Sequence, residues 1–173
     1  MQRKASHDNT APNSLFILLK AIPNNGIGLY RIYRLRLNGF SVWMPINYLI
    51  IQSVRKYGQF YGNALKVECP TGSGDFINLE DVADFLTRRV ISLFQPDETG
   101  AIPQYGQYNW FYQQPGNEHL NLFYEYFHGD NGQGLGACQQ TGWTALLAEL
   151  ISEQQRRSKE KTPVETPEIT VVT

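Results

Sequence analysis

Apolar side chains recur at three- and four-residue intervals in three stretches of this chain, the spacing that lines one face of an α-helix. The first stretch opens at Pro45, a residue suited to a first helical turn, where its missing N–H costs nothing. Ile46, Leu49, Ile50, Val54 and Tyr57 form its stripe, and Gly58 or Gly62 is expected to end it. The second opens on Asn78, a capping residue type, with Asp81 three positions later. Leu79, Val82, Ala83, Leu86, Val90 and Leu93 share its apolar face, and Pro96 lies beyond its end. The third follows Thr141, a candidate cap. There Trp143, Leu146, Leu147, Leu150 and Ile151 are expected to face inward, with Glu149, Glu153, Arg156 and Arg157 on the outer surface.

Long glycine-punctuated loops separate these helices: residues 69–74, 103–116 and 129–136. Such loops are uncommon in a compact domain unless they build a site. Residues 1–14 are polar and aperiodic, and the chain from about Arg157 is rich in charge, Pro and Thr. Both ends read as solvated tails. Helices with one apolar face each, joined by functional loops, predict an all-α architecture: part of a helical array or toroid. Three helices make a poor closed fold, so a fragment is expected.

Composition narrows the chemistry. The 173 residues are 42% hydrophobic, enough for one domain with a real core. Fifteen Lys and Arg against sixteen Asp and Glu leave a net charge of −1, which argues against gripping nucleic acid by its phosphates. The apolar run from Leu15 to Ile22 is interrupted by Lys20 and too short to cross a bilayer, and no secretory signal opens the chain. Cys69 and Cys138 are too few for a disulfide framework and lack a CxxC partner for zinc. A soluble cytoplasmic protein is the expectation, with no membrane partner. Ten Tyr, nine Phe and three Trp are unusual, and rings beside polar groups suit hydroxylated ligands such as sugars. A large aromatic core explains them equally well.

The densest constellation runs from Tyr124 to Gly136 and is followed by Thr141-Gly142-Trp143. Glu125 lies among aromatic residues, where a carboxyl group loses water and its pKa tends to rise, as a general acid or base near neutrality requires. The glycines at 132, 134 and 136 do not match GxGxxG, and no acidic ribose partner follows. His7, His119 and His128 have no spacing that makes a metal site with Cys138, and neither cysteine is marked as a nucleophile. Cys69, ahead of Pro70, reads as an inert thiol in a turn. At the start of the first helix Trp43 could stack a sugar face and Asn47 bond a hydroxyl; a core Trp, with Asn47 bonded to backbone, is the plainer alternative.

Three segments, WMPINYLIIQSV, KVECPTGSG and FYEYFHGDNGQGLGACQQTGWTALLAELI, closely resemble the C-terminal end of glycoside hydrolase family 63, in particular its bacterial and cyanobacterial members. The resemblance covers roughly residues 38–152. It implies a partial (α/α)6 toroid over residues 31–156, after a poorly ordered or unrelated segment 1–30 and before a disordered tail 157–173. It also implies inverting hydrolysis of α-linked glucosides or oligosaccharides without metal or cofactor, with Glu125 as the water-activating base. Trp43, Asn47, Tyr124, His128 and Asp130 match substrate-binding or neighbouring positions, and Trp143 is expected to pack the barrel wall. Arg36-Leu37-Asn38-Gly39-Phe40-Ser41 stands where the family carries Trp-Arg-Gly-Pro, and Gln139 where relatives often show His. The family's general-acid Asp belongs to a region upstream for which this chain has no counterpart. The isolated chain is therefore expected to be inactive, needing a missing N-terminal half as a separate chain. A non-catalytic sugar-binding remnant is the alternative.

Overall fold

The computed structural model describes residues 17–22, 29–34, 41–117 and 119–161. Five helices carry most of it: α1 Met44–Tyr61, α2 Leu79–Ile91, α3 Asn109–Tyr112, α4 Thr141–Thr144 and α5 Leu146–Lys161. Seven short strands accompany them: β1 Ile17–Ile22, β2 Leu29–Arg34, β3 Ser41–Val42, β4 Lys66–Glu68, β5 Phe76–Asn78, β6 Tyr126–His128 and β7 Gly134–Leu135. β1-β2-β4-β5 form one sheet, with β2 and β4 parallel and the other neighbours antiparallel. β3-β6-β7 form an antiparallel second sheet.

The architecture is thus mixed α and β, and the all-α toroid expected from the sequence is overturned. Five of the described strands have two or three residues, too short to show a period of two, whereas β1 and β2 have six each and lie where the sequence pattern assigns no element. β1 lies in the segment expected to be poorly ordered, and α5 continues to Lys161 through the start of the expected tail.

Asn78 caps α2 as its residue type implies, its side chain accepting from Asp81 N at 2.9 Å. Val82, Ala83, Leu86, Val90 and Leu93 enter the core with Val42, Met44, Ile51, Val67, Phe127 and Leu150. The length of α1 agrees with the sequence pattern, but its orientation does not. Met44, Asn47, Ile51, Val54, Arg55 and Gly58 are buried, while Ile46, Leu49 and Tyr57 of the expected stripe face solvent. Polar groups and a glycine on the core face outweigh hydrophobicity because they are bonded or closely packed there.

Arg55 is the clearest case. Its guanidinium donates to Asp84 Oδ1 at 2.8 Å and lies 3.4 Å from Thr87 Oγ1, joining α1 to α2. Arg157 of α5 reaches the same Asp84 oxygen at 3.1 Å and Glu80 at 2.7 Å. Gln52 donates to both oxygens of Glu153 at 2.9 Å. Glu153 and Arg157, expected on an outer surface, instead tie α5 to its neighbours.

Gly58 sets the approach of α1 to α2. A Cβ there would lie 2.7 Å from both Glu80 N and Glu80 Cγ and 3.1 Å from Leu79 C. Replacing a helical Gly by Ala gains about 1 kcal/mol of propensity, but overpacking costs about 1–3 kcal/mol, and backbone atoms cannot swing aside. Gly58→Ala is expected to lower the melting temperature by a few degrees; a raised one would contradict the close crossing.

Candidate functional site

The site expected from the sequence gathers where the second sheet meets the first turn of α1. β3 leads through Trp43 directly into α1, β3 pairs with β6, and Glu125 immediately precedes β6. Hairpin β6–β7 returns the chain past Glu125 toward α4.

Glu125 is gripped from two sides. Its N–H donates to Ala137 O at 2.8 Å, and its carbonyl accepts from Trp143 Nε1 at 3.1 Å. One residue earlier, the Tyr124 carbonyl accepts from Thr144 Oγ1 at 2.5 Å, and Thr144 is fully buried. Neighbouring side chains of α4 thus hold two consecutive carbonyls, which gives Thr141-Gly142-Trp143-Thr144 a physical role beyond helix initiation. Thr141 itself lies inside α4, and Gln140 occupies the cap position. The Glu125 carboxylate is partly exposed; its Oε2 lies 3.4 Å from Ala137 N, long for a hydrogen bond. Among the described residues no cation is paired with it.

The alternating glycines of the hairpin make room for this arrangement. A Cβ on Gly134 would fall 2.1 Å from Tyr124 Cδ2, inside the ring's contact distance. A Cβ on Gly136, where φ is 73°, would lie 2.6 Å from Glu125 Oε2 and 2.9 Å from Tyr126 Cε1. The ring of Tyr124 and the carboxylate of Glu125 therefore rest on bare backbone. Two glycines with this spacing serve ring and carboxylate packing, not a phosphate.

Trp43 and Trp143 stack at 6.0 Å between ring centroids with 20° between planes. Trp143, assigned to wall packing by the resemblance, thereby joins the Glu125 backbone to Trp43, which stays 46% exposed. Asn47 adopts the plainer of its two readings: it is buried, and its Nδ2 donates to Trp43 O at 2.7 Å.

Tyr124 sits beside the stacked pair Tyr105 and Tyr112, whose centroids are 3.9 Å apart. Burial, reinforced by Tyr112, pushes the Tyr124 phenol up to about 12, so it stays neutral across the physiological range. The sequence did not single out Tyr105 or Tyr112; they come from the loop before α3 and α3 itself, distant in sequence from the hairpin.

His128 and Asp130 belong to the hairpin turn. The Asp130 N–H donates to His128 Nδ1 at 3.2 Å, and His128 O accepts from Gly132 N at 2.9 Å. Among the described residues no hydrogen bond joins either side chain to Glu125. No group of three His, Cys, Asp or Glu is placed to hold a metal among the described residues, and His7 lies outside them.

Cys69 is buried and Cys138 exposed, and both are free thiols. Burial pushes the Cys69 thiol up to about 11, with Arg89 and Arg88 pulling weakly the other way. Because the thiolate is the reactive form, iodoacetamide at mildly alkaline pH is expected to alkylate Cys138 and spare Cys69 until the chain unfolds. Peptide mass mapping checks this, and equal labelling of both in the folded protein would contradict it. The same shift sets a stability trend: the contribution of this thiol is full below its ordinary value of 9.0 and is lost as pH rises toward about 11.

No helix among the described residues is long and apolar enough to cross a membrane. No protein-family model matches the chain. No solved structure matches it either. Over 115 residues the chain is 47% identical to the uncharacterized protein YMR196W of Saccharomyces cerevisiae (strain ATCC 204508 / S288c). The matched stretch is 65% of this chain and 10% of that protein, so the chain spans about a tenth of the length of the curated relative it matches.

Proposed function

We propose that this chain carries the water-activating part of an inverting glycoside hydrolase acting on α-linked glucosides, with Glu125 as the general base. The observation that carries the reading is the double grip on Glu125: Ala137 holds its N–H, and Trp143 and Thr144 hold the carbonyls of residues 125 and 124, while no cation among the described residues is paired with its carboxylate. A base must be fixed within reach of its water, and a guanidinium at the same carboxylate would stabilise its ionised form and weaken it as a base. Trp43, stacked on the Trp143 ring whose N–H bonds the Glu125 carbonyl, stays 46% exposed and offers a stacking surface for the C–H face of a pyranose.

In this chemistry Glu125 takes a proton from water as its oxygen attacks the anomeric carbon. The glycosidic bond breaks, and the leaving oxygen receives a proton from a second carboxylic acid, about 6.5–9.5 Å from the first. That acid belongs to chain outside the described residues, as a separate polypeptide or as further length like that of the yeast relative. Both cysteines being free thiols agrees with a cytoplasmic setting.

The test is glucose release from α-glucosides by the 173-residue chain, alone and mixed with the protein encoded beside it. Turnover by the mixture is expected, falling about 10²–10⁴-fold with Glu125→Gln. A second reading, a non-catalytic sugar-binding element, rests on Trp43 alone. Sugar binding without turnover, indifferent to Glu125→Gln but lost in Trp43→Ala, would establish it and overturn the enzymatic one.

A further inference from the structure

The face of α1 turned away from the core carries an apolar stripe that is largely exposed, with Tyr57 and Phe60 both against the ring of Tyr61. Ile46 is 49% exposed, Leu49 59%, Tyr57 59% and Phe60 80%, and exposed Ser53 lies midway. The four large side chains span about 21 Å of helix at 1.5 Å per residue. Ile46, Leu49 and Tyr57 belong to the stripe whose periodicity predicts a buried face, Phe60 extends it by one turn, and no charged residue falls on the line the four define.

The stripe is polarised and self-complementary. Its aliphatic side chains occupy the N-terminal half and its rings the C-terminal half, equally spaced about Ser53. Turned antiparallel about a two-fold axis through Ser53, two copies place Ile46 on Phe60, Leu49 on Tyr57 and Ser53 on Ser53. The small serine lets the axes approach at the crossing. Lys56, at the border, meets Ile50 rather than a second lysine. Closed two-fold pairing demands this kind of self-matching surface. At these exposures the stripe with Tyr61 and its flanks offers an area on the order of 600 Å² per copy, at the low end of specific two-partner interfaces.

We infer that α1 is a homodimerisation helix, its occupant a second copy of this chain packed antiparallel through Ile46, Leu49, Ser53, Tyr57 and Phe60. This goes beyond the hydrolase reading and does not rest on it.

Light scattering coupled to gel filtration tests it. At micromolar concentration the wild-type chain is expected at twice 19.8 kDa. Ser53→Arg, which sets two like charges against each other at the axis, and Leu49→Lys are each expected to give monomers with unchanged circular dichroism. Leu49→Lys combined with Tyr57→Glu is expected to restore the dimer, because position 49 faces position 57 of the second copy. On one helix these two positions are eight residues apart, so rescue cannot occur within one chain. A monomeric wild type overturns the inference and leaves the face to a different chain. A dimer indifferent to Ser53→Arg and Leu49→Lys, or a charge-paired variant that stays monomeric, overturns it equally.

Discussion

Phe127→Ala lowers the free energy of unfolding by about 3–5 kcal/mol. The ring is fully buried, packed edge-to-face on Phe94 at 5.4 Å between centroids, and β6, the strand that carries it, is hydrogen-bonded to β3 on one side and β7 on the other. Removing it forfeits transfer energy and leaves a cavity that two flanking strands cannot collapse into. Against a total stability of about 5–15 kcal/mol, that loss is a fifth or more of what holds the domain together. Chemical denaturation reads it as a shifted midpoint at unchanged slope. Tyr126→Ala, at a half-buried position on the same strand, is the control and is expected to cost distinctly less. A Phe127→Ala loss under about 1 kcal/mol would mean that β6 does not sit in the core.

Asp84→Ala is expected to cost about 3–5 kcal/mol for a different reason. Arg55 is buried and its guanidinium bonds to Asp84 Oδ1, so the truncation strands a cation away from water. Arg157 keeps Glu80, half-exposed at the rim, and loses less. The cost therefore belongs to Arg55, and pairing Asp84→Ala with Arg55→Met is expected to return much of it, because the double variant buries no unpaired charge. Additive losses in that cycle would show that the two side chains act independently and that the α1–α2 contact is apolar in substance.

What the sequence displayed and what it hid divide along one physical line. Cap and apolar face of α2 were legible because both are local: Asn78 bonds three residues ahead, and Leu79, Val82, Leu86 and Val90 project to one side of a single helix. The extent of α1 was equally plain, its orientation not. Asn47, Arg55 and Gly58 look like surface residues until a carbonyl, an aspartate and a neighbouring backbone are placed against them. Hydrophobicity counts cannot register such partners, so the stripe through Ile46, Leu49 and Tyr57 appeared to be the buried one. Strands β3 to β7, of two or three residues, fell below the length at which alternation can be recognised; β1 and β2, of six, did not, and they lie where no element was expected. At the site, Glu125, Tyr124 and Trp43 stood out by residue type, whereas the grip from Trp143 and Thr144 and the support from Tyr105 and Tyr112 depend on contacts made only after folding.

The hold on residues 124 and 125 comes from α4, which passes through Ala145 straight into α5. Arg157, fourteen positions beyond Trp143 along α4 and α5, is where α2 moors the second of these helices. The carboxylate at 125 is therefore steadied by a strut with two distant footings. Slack introduced at the Arg157 footing is carried along the strut to the Trp143 footing, and the aim of that carboxylate becomes a property of the helix bundle rather than of the hairpin on which it rides.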